Sequence, residues 1–211
     1  GLYAAGDVAG GCPQKYVTGA LAEGKLAALD MVKQFKAGTL KEADVQTETE
    51  IKVQEGEILS QYEKFRNEDA PAFSVEELEE AMQKIMDQYA GGIGTDYRYS
   101  GMSLAKADEK IAALLPVVDT LAATDTYELM QIYELRERLI VCQAVIAHLA
   151  ARKETRWHSF GENTDYPQQS EEWMKYVNSR MENGEIKILY RDLITKENTG
   201  LNTAEKGAGK R

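Results

Sequence analysis

Apolar residues recur at steps of three and four along three segments of the chain. The first carries Val75, Leu78, Met82, Ile85 and Tyr89, the second Leu104, Ala107, Ile111, Leu114, Val118 and Leu121, and the third Ile132, Leu135, Leu139, Cys142, Ile146 and Leu149. That spacing is the period of a helix with one buried face and predicts three amphipathic helices. Ser74 with Glu77, and Asp125 with Glu128, have the spacing of capping boxes, and Gly91-Gly92 supplies a stop for the first helix. Short connections favour antiparallel neighbours, so the segments read as a helical bundle, with Ile58, Tyr62 and Phe65 contributed by a preceding helix. Pro116 lies inside the second helix and is expected to kink or divide it.

Before the bundle, Leu2 to Ala5 reads as a short strand that delivers Asp7 to its end after Gly6, followed by a loop from Val8 to Tyr16. Val17 to Lys36 then suits a helix, with Gly38 as its stop. The charged stretch from Thr39 to Glu57 marks a change of composition and is taken as the domain boundary. Beyond Trp157 the pattern becomes a polar loop, a short helix near Ser170 to Met174, and two extended runs, Lys175 to Met181 and Glu185 to Tyr190. Asn183-Gly184 joins these runs and predicts a hairpin. Trp173 and Tyr176 read as packing of this hairpin onto the bundle. The tail after Lys196 lacks apolar periodicity and reads as flexible.

Composition narrows the function classes. The 211 residues are 43% hydrophobic and 28% charged, which is ordinary for a folding chain. A net charge of −10, from 35 acidic against 25 basic residues, disfavours nucleic acid as a partner. The longest apolar stretch, Leu139 to Ala151, is shorter than the ~20 residues needed to cross a bilayer, so no membrane insertion is expected. Only Cys12 and Cys142 occur, neither at metal-ligand spacing, which predicts no metal site and fits a cytoplasmic location. The chain starts without Met, in what reads as the middle of a domain, and is expected to be a fragment lacking its N-terminal part.

Three features can carry chemistry. Gly6-Asp7 allows a ligand close to the backbone and offers a carboxylate to a diol, while the plainer reading, which the residues alone favour, is a tight turn whose Asp satisfies nearby amides. The small residues at the start of the helix beginning at Val17 expose amides that attract partial negative charge. Arg152, Lys153 and Arg156 cluster after the third helix, where cations suit a helix C-terminus or form a docking surface. His148 and His158 lack spaced partners and read as structural residues.

Gly1-Leu2-Tyr3-Ala4-Ala5-Gly6-Asp7, followed by a glycine-rich loop and Glu23-Gly24-Lys25, resembles the C-terminal part of the flavin domain in the succinate dehydrogenase/fumarate reductase flavoprotein superfamily. Three blocks are most similar to adenylylsulfate reductase alpha subunits: Cys12 to Tyr16; Lys84 to Gly92; and Lys153 to Trp157 leading through Asp165-Tyr166-Pro167 to Glu171 through Lys175. Fumarate-reducing members place Asn-Arg-Leu-Gly in the loop where this chain has Cys12 to Tyr16, with Lys15 but no Arg. That difference counts against fumarate as substrate.

The resemblance implies an FAD-dependent oxidoreductase with a mainly α fold: a C-terminal piece of an FAD-binding α/β domain, then a helical bundle with a small terminal β-hairpin. Residues 1–40 would complete the FAD-binding domain, 41–156 form the bundle, 157–194 the loop and hairpin, and 195–211 the tail. It further implies that Gly6 and Asp7 meet the ribityl chain of FAD and that Val17, Thr18, Gly19 and Ala20 address the pyrimidine edge of the flavin. The catalytic residues would lie mostly upstream of Gly1, and the substrate would be a small molecule. Electrons would pass through a ferredoxin-like iron–sulfur subunit docking near Arg152, Arg156 and Trp157.

Overall fold

A computed structural model describes residues 2–9, 16–39, 47–66, 72–156, 158 and 161–193, with the side chains of 58, 61 and 62 excepted. Chain contacts divide it into two compact units, Gly1–Gly56 and Glu57–Arg211.

In the first unit, α1 spans Val17–Lys36, the full range its apolar positions predict. It ends in a Schellman turn, in which the Gly38 N–H donates to the Phe35 carbonyl at 3.1 Å and the Thr39 N–H to the Gln34 carbonyl at 3.1 Å. Leu2 to Ala5 is not a strand: among the described residues nothing pairs with it, and it leads into a 3-10 turn at Gly6–Val8. A strand exists only through its ladder. Side-chain bonds attach this segment to α1 instead. The charged stretch also differs from expectation, because α2 spans Glu48–Glu63 and takes up most of its second half. Thr47 accepts from the Glu50 N–H at 3.3 Å and Glu50 accepts in return from the Thr47 N–H at 2.7 Å. This is a capping box that the sequence reading overlooked.

The second unit is built on α3 (Val75–Tyr89), α4 (Gly101–Val118) and α5 (Thr126–Ala151). The predicted stripes are its core. Leu78, Met82, Leu104, Ala107, Ile111, Val118, Leu121, Ile132, Leu135, Leu139 and Ile146 are buried, while Val75, Ile85, Tyr89, Leu114, Cys142 and Leu149 pack against them. Phe65 is fully buried beyond the end of α2, and its ring meets Tyr133 edge-on at 6.0 Å. Ile58 and Tyr62, expected beside it, fall outside the described side chains.

Local capping chemistry departs from expectation in two places, and Pro116 in a third respect. Ser74 and Glu77 close their box, but Glu128 bypasses Asp125 and accepts from the Thr124 N–H at 2.8 Å, while Asp125 alone caps the Glu128 N–H. Ser100 and Ser103 form a further box at the start of α4, with no Glu or Gln to announce it. Pro116 does not divide α4, because it sits in the last turn and the helix ends at Val118.

Two short strands that the sequence does not signal, β1 (Arg98–Tyr99) and β2 (Glu162–Asn163), pair in parallel across α4 and α5. The expected hairpin is present as β3 (Lys175–Glu182) and β4 (Glu185–Asp192), in antiparallel register from Lys175 opposite Asp192 to Glu182 opposite Glu185. Asn183 and Gly184 take φ of 52° and 80°, the left-handed pair that a two-residue turn needs to match strand twist. The short helix before β3 is a 3-10 turn, Glu171–Trp173. The expected tail, 195–211, lies outside the described residues.

Candidate functional site

In the first unit, the segment around Gly6 lies against the opening turns of α1. Gly6 has φ of 75°, and a Cβ there would come within 3.1 Å of the Ala20 Cβ, so only glycine lets backbone and helix approach this closely. Its N–H donates to Glu23 Oε2 at 2.8 Å. The Tyr3 hydroxyl donates to Asp30 Oδ2 at 2.8 Å, which raises the phenol's pKa, and Gln34 Nε2 donates to the same oxygen at 2.6 Å. Glu23 and Asp30 therefore do work that the sequence reading did not assign. The detectable signal was spacing, since Glu23 follows Gly19 and Ala20 by four and three residues and shares their face.

Asp7 is exposed, and among the described residues nothing occupies its carboxylate. The Tyr16 side chain at the N-cap of α1 makes no cap bond, and among the described residues no side chain accepts from the amides of Val17, Thr18 or Gly19 that open the helix. Ala20 already donates to the Tyr16 carbonyl at 3.0 Å. The result, among the described residues, is a set of open donors at the start of α1, a glycine pressed close to the helix, and an unoccupied carboxylate on the residue next to that glycine. Those features fit a ligand that presents partial negative charge to the helix and hydroxyl groups to Asp7. Of the loop motif Cys12 to Tyr16, only Tyr16 is among the described residues.

In the second unit, the third sequence block closes around one carboxylate. Glu154 is 1% exposed and accepts from Arg152 Nη1 at 2.6 Å, Arg156 Nε at 2.9 Å, Arg156 Nη2 at 2.8 Å and the Ser170 N–H at 3.0 Å. Burial pushes its pKa up, but the bonds from Arg156, Ser170 and Arg152 together outweigh this and hold it below the usual carboxylate range. Arg152 also donates to the carbonyls of Trp173 and Lys175, each at 3.0 Å, and Arg156 to that of Ser170 at 3.0 Å. Nearby, the Thr155 hydroxyl donates to the Tyr166 carbonyl at 3.0 Å and accepts from the Asn163 N–H at 2.9 Å. Asp165 accepts from the Gly101 N–H at 2.7 Å at the start of α4.

Residues scattered from Gly101 to Lys175 are thus joined into one polar clamp between α4, α5 and the hairpin. Arg152 and Arg156, expected at a docking surface, spend most of their donors inside the chain; Trp157 lies outside the described residues. His148 has the structural partner expected of it, with Nε2 2.9 Å from Ser179 Oγ. Burial, with Arg152 nearby, lowers its pKa. Cys142 is half-buried, and burial raises its thiol pKa. No group of His, Cys, Asp and Glu suited to a metal occurs among the described residues, and no helix among them is long and apolar enough to cross a membrane.

Known proteins share this pattern. The adenylylsulfate reductase alpha subunit of Megalodesulfovibrio gigas is 28% identical over 188 residues, covering 85% of this chain, and the chain spans only 28% of that relative's length. The adenylylsulfate reductase structure from Archaeoglobus fulgidus superposes with a TM-score of 0.74 at 28% identity, over 92% of this chain and 32% of that one. A quinol fumarate reductase structure from E. coli matches with a TM-score of 0.65 at 20% identity, over 84% of this chain and 30% of that one, and shares the fold. The fumarate reductase flavoprotein C-terminal family matches residues 79–205, more than half of the chain, and the chain belongs to that family.

Proposed function

We propose that this chain is the C-terminal part of an FAD-dependent oxidoreductase of the adenylylsulfate reductase type. The observation that carries the reading is the 28% identity with an adenylylsulfate reductase alpha subunit over 85% of the chain. Bound FAD would supply two-electron transfer, converting adenylylsulfate to AMP and sulfite or running the reverse reaction, which places the protein in sulfur metabolism.

The residues of the first unit would hold that group. Asp7 would accept hydrogen bonds from the ribityl hydroxyls, with Gly6 keeping the backbone close enough for them to reach. The open amides at Val17, Thr18 and Gly19, with Ala20 completing the turn, would face the pyrimidine edge. A helix N-terminus stabilises nearby negative charge by about 0.3–1 kcal/mol, so this contact favours the reduced, more anionic state. Residues 1–40 would complete the FAD-binding domain, and residues 41–194 would form the helical domain with its hairpin.

An iron–sulfur subunit would exchange electrons with this flavin in a cytoplasmic complex. We place its docking surface around the turn of Arg152, Arg156 and Trp157. Since Glu154 holds both guanidiniums, they would shape that surface more than bind through charge.

The test uses the flavoprotein containing this chain. Wild type should retain FAD and reduce an electron acceptor when given AMP and sulfite together, and Asp7→Ala should weaken FAD retention about tenfold or more, as expected when hydrogen bonds to a charged group are lost. Fumarate-dependent oxidation of the reduced protein without AMP- and sulfite-dependent turnover would replace this reading with a fumarate reductase one. Unchanged FAD affinity in Asp7→Ala would return Asp7 to a plain turn.

A further inference from the structure

We propose that the second unit carries an oxyanion-binding cavity between the Arg152–Arg156 turn and the hairpin, suited to a small phosphate or sulfate group. The inference stands apart from the flavin reading. A cavity of about 400 Å³ is lined by Arg152, Glu154, Arg156, Trp173, Met174 and Lys175, among others. That is within the roughly 300–1,000 Å³ typical of small-ligand sites.

Three cations meet one carboxylate there, an excess of positive charge in a chain whose net charge is −10. Two donors stand out. Among the described residues, Arg156 Nη1 has only the Met174 thioether, at 3.1 Å, and sulfur is a weak acceptor that an oxygen anion displaces readily. Lys175 Nζ sits 4.9 Å from the Trp173 ring centroid and 5.6 Å from that of Tyr190, and among the described residues no carboxylate comes within ion-pair distance of it. Asp192 is opposite Lys175 in the hairpin register but makes no ion pair with it.

The buried Glu154 explains why the Arg156 side chain stays in place. It binds Arg156 through Nε and Nη2 and not through Nη1, so the guanidinium is oriented before any ligand arrives. The Trp173 ring walls one side, and T-shaped contact with Tyr190 at 5.7 Å holds it upright.

The experiment is a titration of the full chain with inorganic phosphate, and separately sulfate, at constant ionic strength set with chloride, followed by amide and indole NMR shifts. Saturable shifts centred on Trp173, Met174 and Lys175 are expected. Lys175→Gln should weaken them about tenfold. Met174→Glu, at a half-exposed position, should abolish them by placing a carboxylate where the anion sits, with an unchanged far-UV spectrum showing that the fold survives. Shifts that rise linearly without saturation, or equal binding by wild type and both variants, would overturn the proposal.

Discussion

Removing the Glu154 carboxylate is the most informative single perturbation of this chain. Glu154→Ala deletes the acceptor of four hydrogen bonds, three of them from guanidinium nitrogens. Breaking a fully buried ion pair from one side costs about 3–5 kcal/mol. The Arg152 and Arg156 side chains are 30% and 24% exposed, so water relieves part of the released charge, while the Ser170 N–H loses its acceptor at a further ~1 kcal/mol. The loss is therefore about 3 kcal/mol. In a chain of this size that is a fall in Tm of about 6–12 °C.

Urea unfolding at pH 7, followed by near-UV circular dichroism of the packed aromatics, measures it, with thermal melting as the second readout. The pH arm has a fixed sign. The folded-state pKa of Glu154 is depressed, so its contribution is complete above the ordinary carboxylate pKa of about 4.3 and is lost as pH falls through the folded value. Glu154→Gln should flatten this acid limb. A loss below about 1 kcal/mol at pH 7 with an unchanged m-value, or an acid limb identical in Glu154→Gln, would refute the clamp as a source of stability.

Three other predictions follow from local geometry. Gly92→Ala should destabilise the second unit by about 2 kcal/mol or more in urea melts, because the added Cβ would lie 2.4 Å from the Asp87 Cα. Gly56→Ala, where a Cβ meets nothing within 4 Å, should stabilise α2 by up to about 1 kcal/mol. His148 is held neutral by burial and by Arg152, so the stability it contributes is present above its ordinary pKa of about 6.5 and declines as pH falls through its lowered folded value. Hydrogen exchange of the β3 amides between pH 7 and pH 5 should report the loosening, and His148→Gln should remove the pH dependence.

The helices were legible in the sequence because their cause is local and periodic. α1, α3 and α5 begin and end where apolar spacing, Ser74, Asp125, Gly38 and Gly91 place them, and the hairpin turns where Asn183-Gly184 permits left-handed backbone. What tertiary structure decided involves partners far apart in the chain. Leu2 to Ala5 has strand-like residues, yet a ladder requires a neighbour, and Glu23 and Asp30 secure the segment by side-chain bonds instead. β1 and β2 are two residues each, too short to leave a pattern, and exist because α4 and α5 return the chain to the same place.

The same division governs the candidate sites. A helix start rich in small residues announces itself, so the opening amides of Val17, Thr18 and Gly19 were visible as donors from sequence alone, with Ala20 the first to bond back within the turn. Arg152 and Arg156 read as cations suited to a helix C-terminus or a docking surface, because charge in a sequence carries no information about where a carboxylate will be buried. Only the packed chain brings Glu154 between them as the centre of a clamp, with Arg152, Arg156 and Lys175 among the residues that line the adjoining cavity.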